Sequence, residues 1–97
     1  MDWVIICDEV SALGWRLAGA RPLIAEERNL QERLAEARQH AELVFITADL
    51  GKRLPDSVLS AALLAEKPLM AVIVAPQSGE EPPDLEQQAR HLLGIAV

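Results

Sequence analysis

The stretch Trp3–Gly19, WVIICDEVSALGWRLAG, decides the fold of this 97-residue chain. Its first five residues form an apolar run that is too short for a globular helix and typical of a parallel strand covered on both faces. A helix from about Val10 to Ala18 follows, whose free amide groups can be capped by the side chain of Asp8 or Ser11. Gly19 stands where a helix stop belongs. This unit of strand, acidic turn and short helix opens an α/β domain.

The rest of the chain repeats the alternation of strand and helix. Further apolar runs predict three more strands, at Leu23–Ala25, Leu43–Thr47 and Leu69–Val74. Asn29 and Glu32 have the spacing of a capping box before the second helix. The third helix should break at Pro55, because proline cannot donate a backbone hydrogen bond inside a helix. Four strands alternating with helices predict a parallel sheet with right-handed crossovers, whose strand order the sequence leaves open.

The end of the chain has a different composition. Turn formers and charges fill the segment from Ala75 to Asp84, which predicts a mobile linker. A short amphipathic helix follows, with apolar residues Leu85, Ala89, Leu92 and Leu93. We therefore divide the chain into a sheet domain (1–75), a linker (76–84) and a C-terminal helical segment (85–97). A helix this short is marginal alone in water, so we expect it to dock weakly or to await a partner.

Composition limits the classes of function. The net charge of −6 and pI near 4.8 argue against nucleic acid as the main ligand, because phosphate binding needs clustered Lys and Arg. No apolar run approaches the roughly 20 residues of a membrane span, and the N-terminus lacks the pattern of a secretory signal. A single cysteine cannot form an internal disulfide. We expect a cytoplasmic chain that binds a protein or a small molecule.

One family shares the opening motif. Cys7-Asp8-Glu9 followed by Leu13–Gly19 (LGWRLAG) resembles the start of the F subunit of V-type and archaeal-type rotary ATPases, which reads Gly-Asp-Glu and then Leu-Gly-Phe-Arg-Leu-Ala-Gly. The resemblance covers most of the chain in element order and length, and it returns in the closing Leu92–Ile95 (LLGI). Cys7 replaces the family's Gly, and Trp15 replaces its Phe.

The resemblance implies a small Rossmann-like or receiver-like sheet and a function without catalysis, cofactor or metal. The chain would be part of the central stalk of a V/A-type ATPase or ATP synthase, in the cytoplasm and peripheral to the membrane. It would bind the coiled-coil D subunit and help couple ATP hydrolysis or synthesis to proton or sodium transport. The expected partner-binding residues are Asp8, Glu9, Leu13, Gly14, Trp15, Arg16, Leu85, Leu92, Leu93 and Ile95.

Two residues of the first helix bear on that interpretation. Trp15 is the large aromatic residue of the helix, which suits an interface anchor and equally suits a place in the core. Gly14 disfavours the helix by its intrinsic propensity, which suggests that another backbone approaches it closely, from this domain or from a partner.

Other chemistries compete for the carboxyl edge of the sheet. Dinucleotide binding is disfavoured, because Asp8 and Glu9 stand where a glycine-rich phosphate turn would be needed. A receiver-like phosphotransfer domain would use Asp8, Glu9 and Asp49 to hold a divalent metal. Lys67 precedes the fourth strand and so belongs at the opposite edge, but this interpretation remains the alternative function.

The cysteine and the histidines carry weaker signals. Cys7 ends a strand near a helix N-terminus, where a reactive thiolate is conceivable, yet Asp8 beside it should raise the pKa of its thiol. We expect a buried, inert cysteine. His40 and His91 lie in different helices without neighbouring ligands, which gives no basis for a metal site.

Overall fold

A computed structural model describes residues 2–65, 67–74, 85, 87 and 89–91. The elements are, in chain order, β1 (Trp3–Cys7), α1 (Glu9–Leu17), β2 (Pro22–Ile24), a 3₁₀ turn (Glu27–Asn29), α2 (Leu30–His40), β3 (Leu43–Thr47), α3 (Ala48–Gly51), α4 (Asp56–Leu64) and β4 (Leu69–Ile73). Residues 85, 87 and 89–91 are also helical. The prediction of an α/β fold with four strands is confirmed.

The four strands form one parallel sheet in the order β2-β1-β3-β4. In its register Val4 lies beside Val44, and Val44 lies beside Met70. The strand β3 pairs on both sides and all five of its residues are buried, as its continuous apolar sequence predicts. The chain moves outward from β1 in one direction to β2 and then in the other direction through β3 to β4. This reversal puts a topological switch point between β1 and β3, at the carboxyl edge.

Right-handed crossovers around this reversal put helices on both faces of the sheet. On one face Leu30, Leu34 and Ala37 of α2 and Ala62 of α4 pack with Ile6 and other inward residues of the sheet. On the other face Ala12 and Trp15 of α1 pack with Ile5 and Phe45. The architecture is therefore a three-layer sandwich with one core on each side of the sheet.

Local signals set the limits of α1. The carboxylate of Asp8 accepts a hydrogen bond from the backbone N–H of Ser11 at 2.7 Å, which caps the start of the helix. Gly19 has φ +92°, a conformation that suits glycine and ends the helix. Both predictions are confirmed, and the helix itself runs one residue earlier than expected, from Glu9 to Leu17.

One predicted cap is wrong. The Asn29 side chain makes no capping hydrogen bond to α2, and its Oδ1 instead accepts the N–H of Glu26 at 2.7 Å. The capping box therefore joins Glu26 and Asn29 around the 3₁₀ turn, and does not join Asn29 to Glu32. The predicted break near Pro55 is confirmed, since α3 ends at Gly51 and α4 begins at Asp56.

The C-terminal residues are described only in part. The predicted linker (76–84) and the proposed contact residues Leu92, Leu93 and Ile95 lie outside the described residues. Leu85 and Ala89, four positions apart in the helix, are buried in the same core cluster as Trp15 and Phe45. The division into a domain, a linker and a separate segment stays a prediction. Within the described ranges, every helix falls short of the length and apolar character that a membrane span requires.

Candidate interaction surface on the first helix

The inner face of α1 is committed to the core. Trp15 is 3% exposed and Ala12 is equally buried, and both belong to the cluster that contains Ile5 and Phe45. The sequence suited Trp15 equally to an interface anchor and to the core, and its side chain packs inside this fold. It fixes α1 to the sheet and is not presented at the surface.

The outer face of the same helix is apolar as well. Val10 is 90% exposed, Leu13 is 62% exposed and Leu17 is 81% exposed. Their spacing of i, i+3 and i+7 puts them on one side of the helix, and Gly14 at i+4 completes the row. We call Val10, Leu13, Gly14 and Leu17 the apolar stripe. Large apolar side chains grouped on one exposed face mark an interaction surface more often than isolated ones do.

Gly14 leaves a gap in the apolar stripe, because it has no side chain. A Cβ atom built on it would meet no described atom within 4 Å. The close approach that the sequence suggested is therefore not made by the described part of this domain. A second helix could pack against the bare backbone at this point, as small residues allow elsewhere.

Charged residues flank the apolar stripe on one side. Glu9 and Arg16 are exposed and stand seven positions apart, so they lie on the same flank of α1, about two helical turns from each other. Glu9 is in the first turn and Arg16 in the last, which suits the helix dipole at both ends. The surface therefore has an apolar centre, an acidic end and a basic end.

The structure divides the residues that the sequence proposed for partner binding. Leu13, Gly14, Glu9 and Arg16 are exposed on α1, whereas Trp15 and Leu85 are buried. Asp8 is half-buried and caps the helix. Val10 and Leu17 were not among the proposed residues, although they are exposed on the same face as Leu13 and their spacing from Leu13 was the signal that could have identified them.

The three carboxylates of the alternative function border the same cleft. Asp8, Glu9 and Asp49 line one open cleft of about 430 Å³ at the switch point between β1 and β3. Its other lining residues are Ala25, Glu26, Glu27, Leu50, Lys52 and Arg53. In the part of the chain that the structure describes, no three His, Cys, Asp or Glu side chains are grouped closely enough to hold a metal ion. The cleft gathers charge of both signs without forming a coordination site among these residues.

Cys7 lies beneath this edge and is fully buried. Burial and, to a smaller extent, the negative charge of Asp8 raise the pKa of its thiol from 9.0 to about 11, while the positive charge of Arg16 opposes the shift. The neutral thiol is therefore favoured at neutral pH, and the expectation of a buried cysteine is confirmed. His40 is exposed on α2, and His91 is exposed among the C-terminal helical residues.

A scan against models of known protein families gave no match for this sequence, and a search of curated proteins found none significantly similar to it.

Proposed function

We propose that this chain is the non-catalytic F subunit of a V/A-type rotary ATPase or ATP synthase, and that it binds the coiled-coil D subunit of the central stalk. The observation that carries the proposal is the apolar stripe, because three of its four residues, Leu13, Gly14 and Leu17, belong to the motif that resembles the F subunit. Val10, Leu13 and Leu17 are the side chains that a partner would cover.

The chemistry of the stripe favours a helical partner. Apolar residues spaced i, i+3, i+4 and i+7 are the pattern by which one helix packs along another. A coiled coil offers such helices over a long rigid surface. The F chain would add mass and contacts to that rotor and so stiffen it, in the cytoplasm at the membrane periphery, while proton or sodium transport and ATP chemistry take place in other subunits.

Co-expression with the D subunit encoded in the same genome tests the proposal. We expect a stable complex in size-exclusion chromatography with the unchanged chain. Leu13→Asp should abolish that complex, because it puts a charge in the centre of the covered surface. Leu64→Asp is the matched control, since Leu64 is 83% exposed on α4, at the opposite face of the sheet. Failure of the unchanged chain to bind D would refute the proposal.

Nucleotide binding provides a second test. The turn after β1 carries Asp8 and Glu9 and lacks the glycine-rich loop that holds phosphates. We expect no ATP hydrolysis and no saturable binding of Mg-ATP by titration calorimetry. An affinity in the micromolar range would contradict the proposed function.

The cleft at the switch point favours one alternative, a receiver-like phosphotransfer or signalling domain using Asp8, Glu9 and Asp49. In such folds ligands commonly bind at this place. The alternative predicts that Mn²⁺ binds to the free chain and that Asp8→Asn and Asp49→Asn each weaken this binding. Water-proton relaxation measures Mn²⁺ binding directly. Under the F-subunit proposal, neither substitution changes a relaxation signal that is already that of free Mn²⁺.

A further inference from the structure

We infer that α1 is also a self-association surface, through which two copies of this chain pair with their first helices antiparallel. The inference goes beyond the proposed function and does not depend on it, because it concerns the chain in the absence of any other subunit. Its basis is the shape and the charge pattern of one exposed helix face.

The shape is self-complementary. Val10 and Leu17 are the exposed ends of the apolar stripe, and Leu13 and Gly14 form its centre. When two such helices run antiparallel, Val10 of one copy lies toward Leu17 of the other. Leu13 of each copy then lies toward the open space at Gly14 of its neighbour, where a Cβ atom would have no described atom within 4 Å. A two-fold axis at the centre of the stripe relates the two surfaces.

The charges select the antiparallel arrangement. Glu9 and Arg16 lie on one flank, at opposite ends of α1. Two antiparallel helices bring Glu9 of each copy toward Arg16 of the other, which gives two attractive pairs. A parallel two-fold arrangement puts the charged flanks of the two copies on opposite sides of the pair, so it gains neither attractive pair and leaves like charges at each end. The helix dipoles also favour the antiparallel arrangement, because the two dipoles are then opposed.

The other exposed leucines lack this pattern. Leu64 on α4 is about as exposed as Leu17, at 83% against 81%. However, α4 contains a single charged residue, Asp56, so a two-fold pair of α4 helices gains no opposite charges. Charge complementarity therefore assigns the second copy to α1.

We expect the pairing to be weak. One face of a nine-residue helix is smaller than a standard protein interface, which buries about 1,200–2,000 Å² in total. We expect a dissociation constant on the order of 100 μM for such a contact. A helical partner that covers the stripe excludes the second copy, so the pair belongs to the unassembled chain.

Sedimentation equilibrium between about 10 μM and 1 mM, at low salt, measures the association. Glu9→Arg alone and Arg16→Glu alone should each raise the dissociation constant roughly tenfold, since both attractive pairs become repulsive. The double variant Glu9→Arg/Arg16→Glu should return to within about twofold of the unchanged chain. High salt should reduce the differences between these variants, because it screens exposed charges.

Two leucine variants distinguish specific pairing through α1 from nonspecific hydrophobic association. Leu13→Asp should be monomeric at every concentration, and Leu64→Asp should dimerise like the unchanged chain. Far-UV circular dichroism confirms that each variant is folded, which is expected because both leucines are exposed. The inference is overturned if the unchanged chain is monomeric at about 1 mM, if Leu13→Asp still dimerises, if Leu64→Asp prevents dimerisation, or if the double variant fails to restore it.

Discussion

Replacing Trp15 with alanine should remove much of the stability of the isolated domain. Trp15 is 3% exposed, and a buried tryptophan side chain removes about 150–250 Å² from water. At about 25 cal/mol per Å² this is about 4–6 kcal/mol. Truncation to alanine therefore costs about 3–5 kcal/mol, in line with other deletions of large core residues. Native domains have a free energy of unfolding of only about 5–15 kcal/mol, so the variant should be near the limit of folding.

Urea unfolding followed by far-UV circular dichroism gives this free energy without depending on the deleted tryptophan. Trp15→Phe should cost less than Trp15→Ala, because most of the apolar volume is kept. Leu13→Ala is the control on the outer face, where a side chain that is 62% exposed should change stability by no more than about 0.5 kcal/mol. If Leu13→Ala costs as much as Trp15→Ala, the assignment of inner and outer faces to α1 is incorrect.

Three further predictions concern glycine, cysteine and the C-terminus. Gly14→Ala should stabilise the isolated chain by about 0.5–1 kcal/mol, since the site is open and alanine favours a helix. Gly19→Ala should destabilise the chain by about 1–2 kcal/mol, because φ at this position is +92°. Urea titrations of both variants test this, and a loss of stability in Gly14→Ala would contradict it. The pKa of Cys7 is raised to about 11 in the folded state, so the unfolded chain loses its thiol proton at lower pH. The free energy of unfolding should therefore fall by up to about 3 kcal/mol as the pH rises from about 9 to about 11. Cys7→Ala should lack this component of the fall, and rapid labelling of the native thiol at pH 7 would argue against its burial. In hydrogen exchange, the amides of residues 85, 87 and 89–91 should exchange faster than those of β1 and β3, because a short helical segment can open locally even though Leu85 and Ala89 are buried. Equal protection would show that these residues open only when the whole domain unfolds, and would contradict the prediction.

The sequence predicted the number, type and approximate limits of the strands because each strand is a short apolar run between polar turns. The fully buried β3 is the clearest example, from Leu43 to Thr47. Strand order was not predictable, since a right-handed crossover can add the next strand on either side of β1. The prediction that Asn29 caps α2 was wrong because an asparagine side chain can either cap a helix or close a turn. Only the fold shows that the Asn29 side chain accepts the backbone N–H of Glu26.

The site was harder to predict because α1 is apolar on two faces. Ala12 and Trp15 form one face, and Val10, Leu13 and Leu17 form the other. Hydrophobic periodicity can identify the core-facing side of a helix only when the opposite side is polar. Here the sequence did not show which face of α1 is buried. In the structure, the buried face is the one that contains the large Trp15 side chain.

A helix with two apolar faces is also a mechanical connection. Close-packed protein interiors are nearly incompressible and transmit displacement. A load applied to the outer side chains of α1 passes across a single helix to Trp15, and Trp15 belongs to the same packed cluster as Ile5 and Phe45 of the central strands. The path from the surface to the central strands therefore contains one helix and no loop. A displacement imposed on this face should therefore move the sheet as a unit, with little deformation between them.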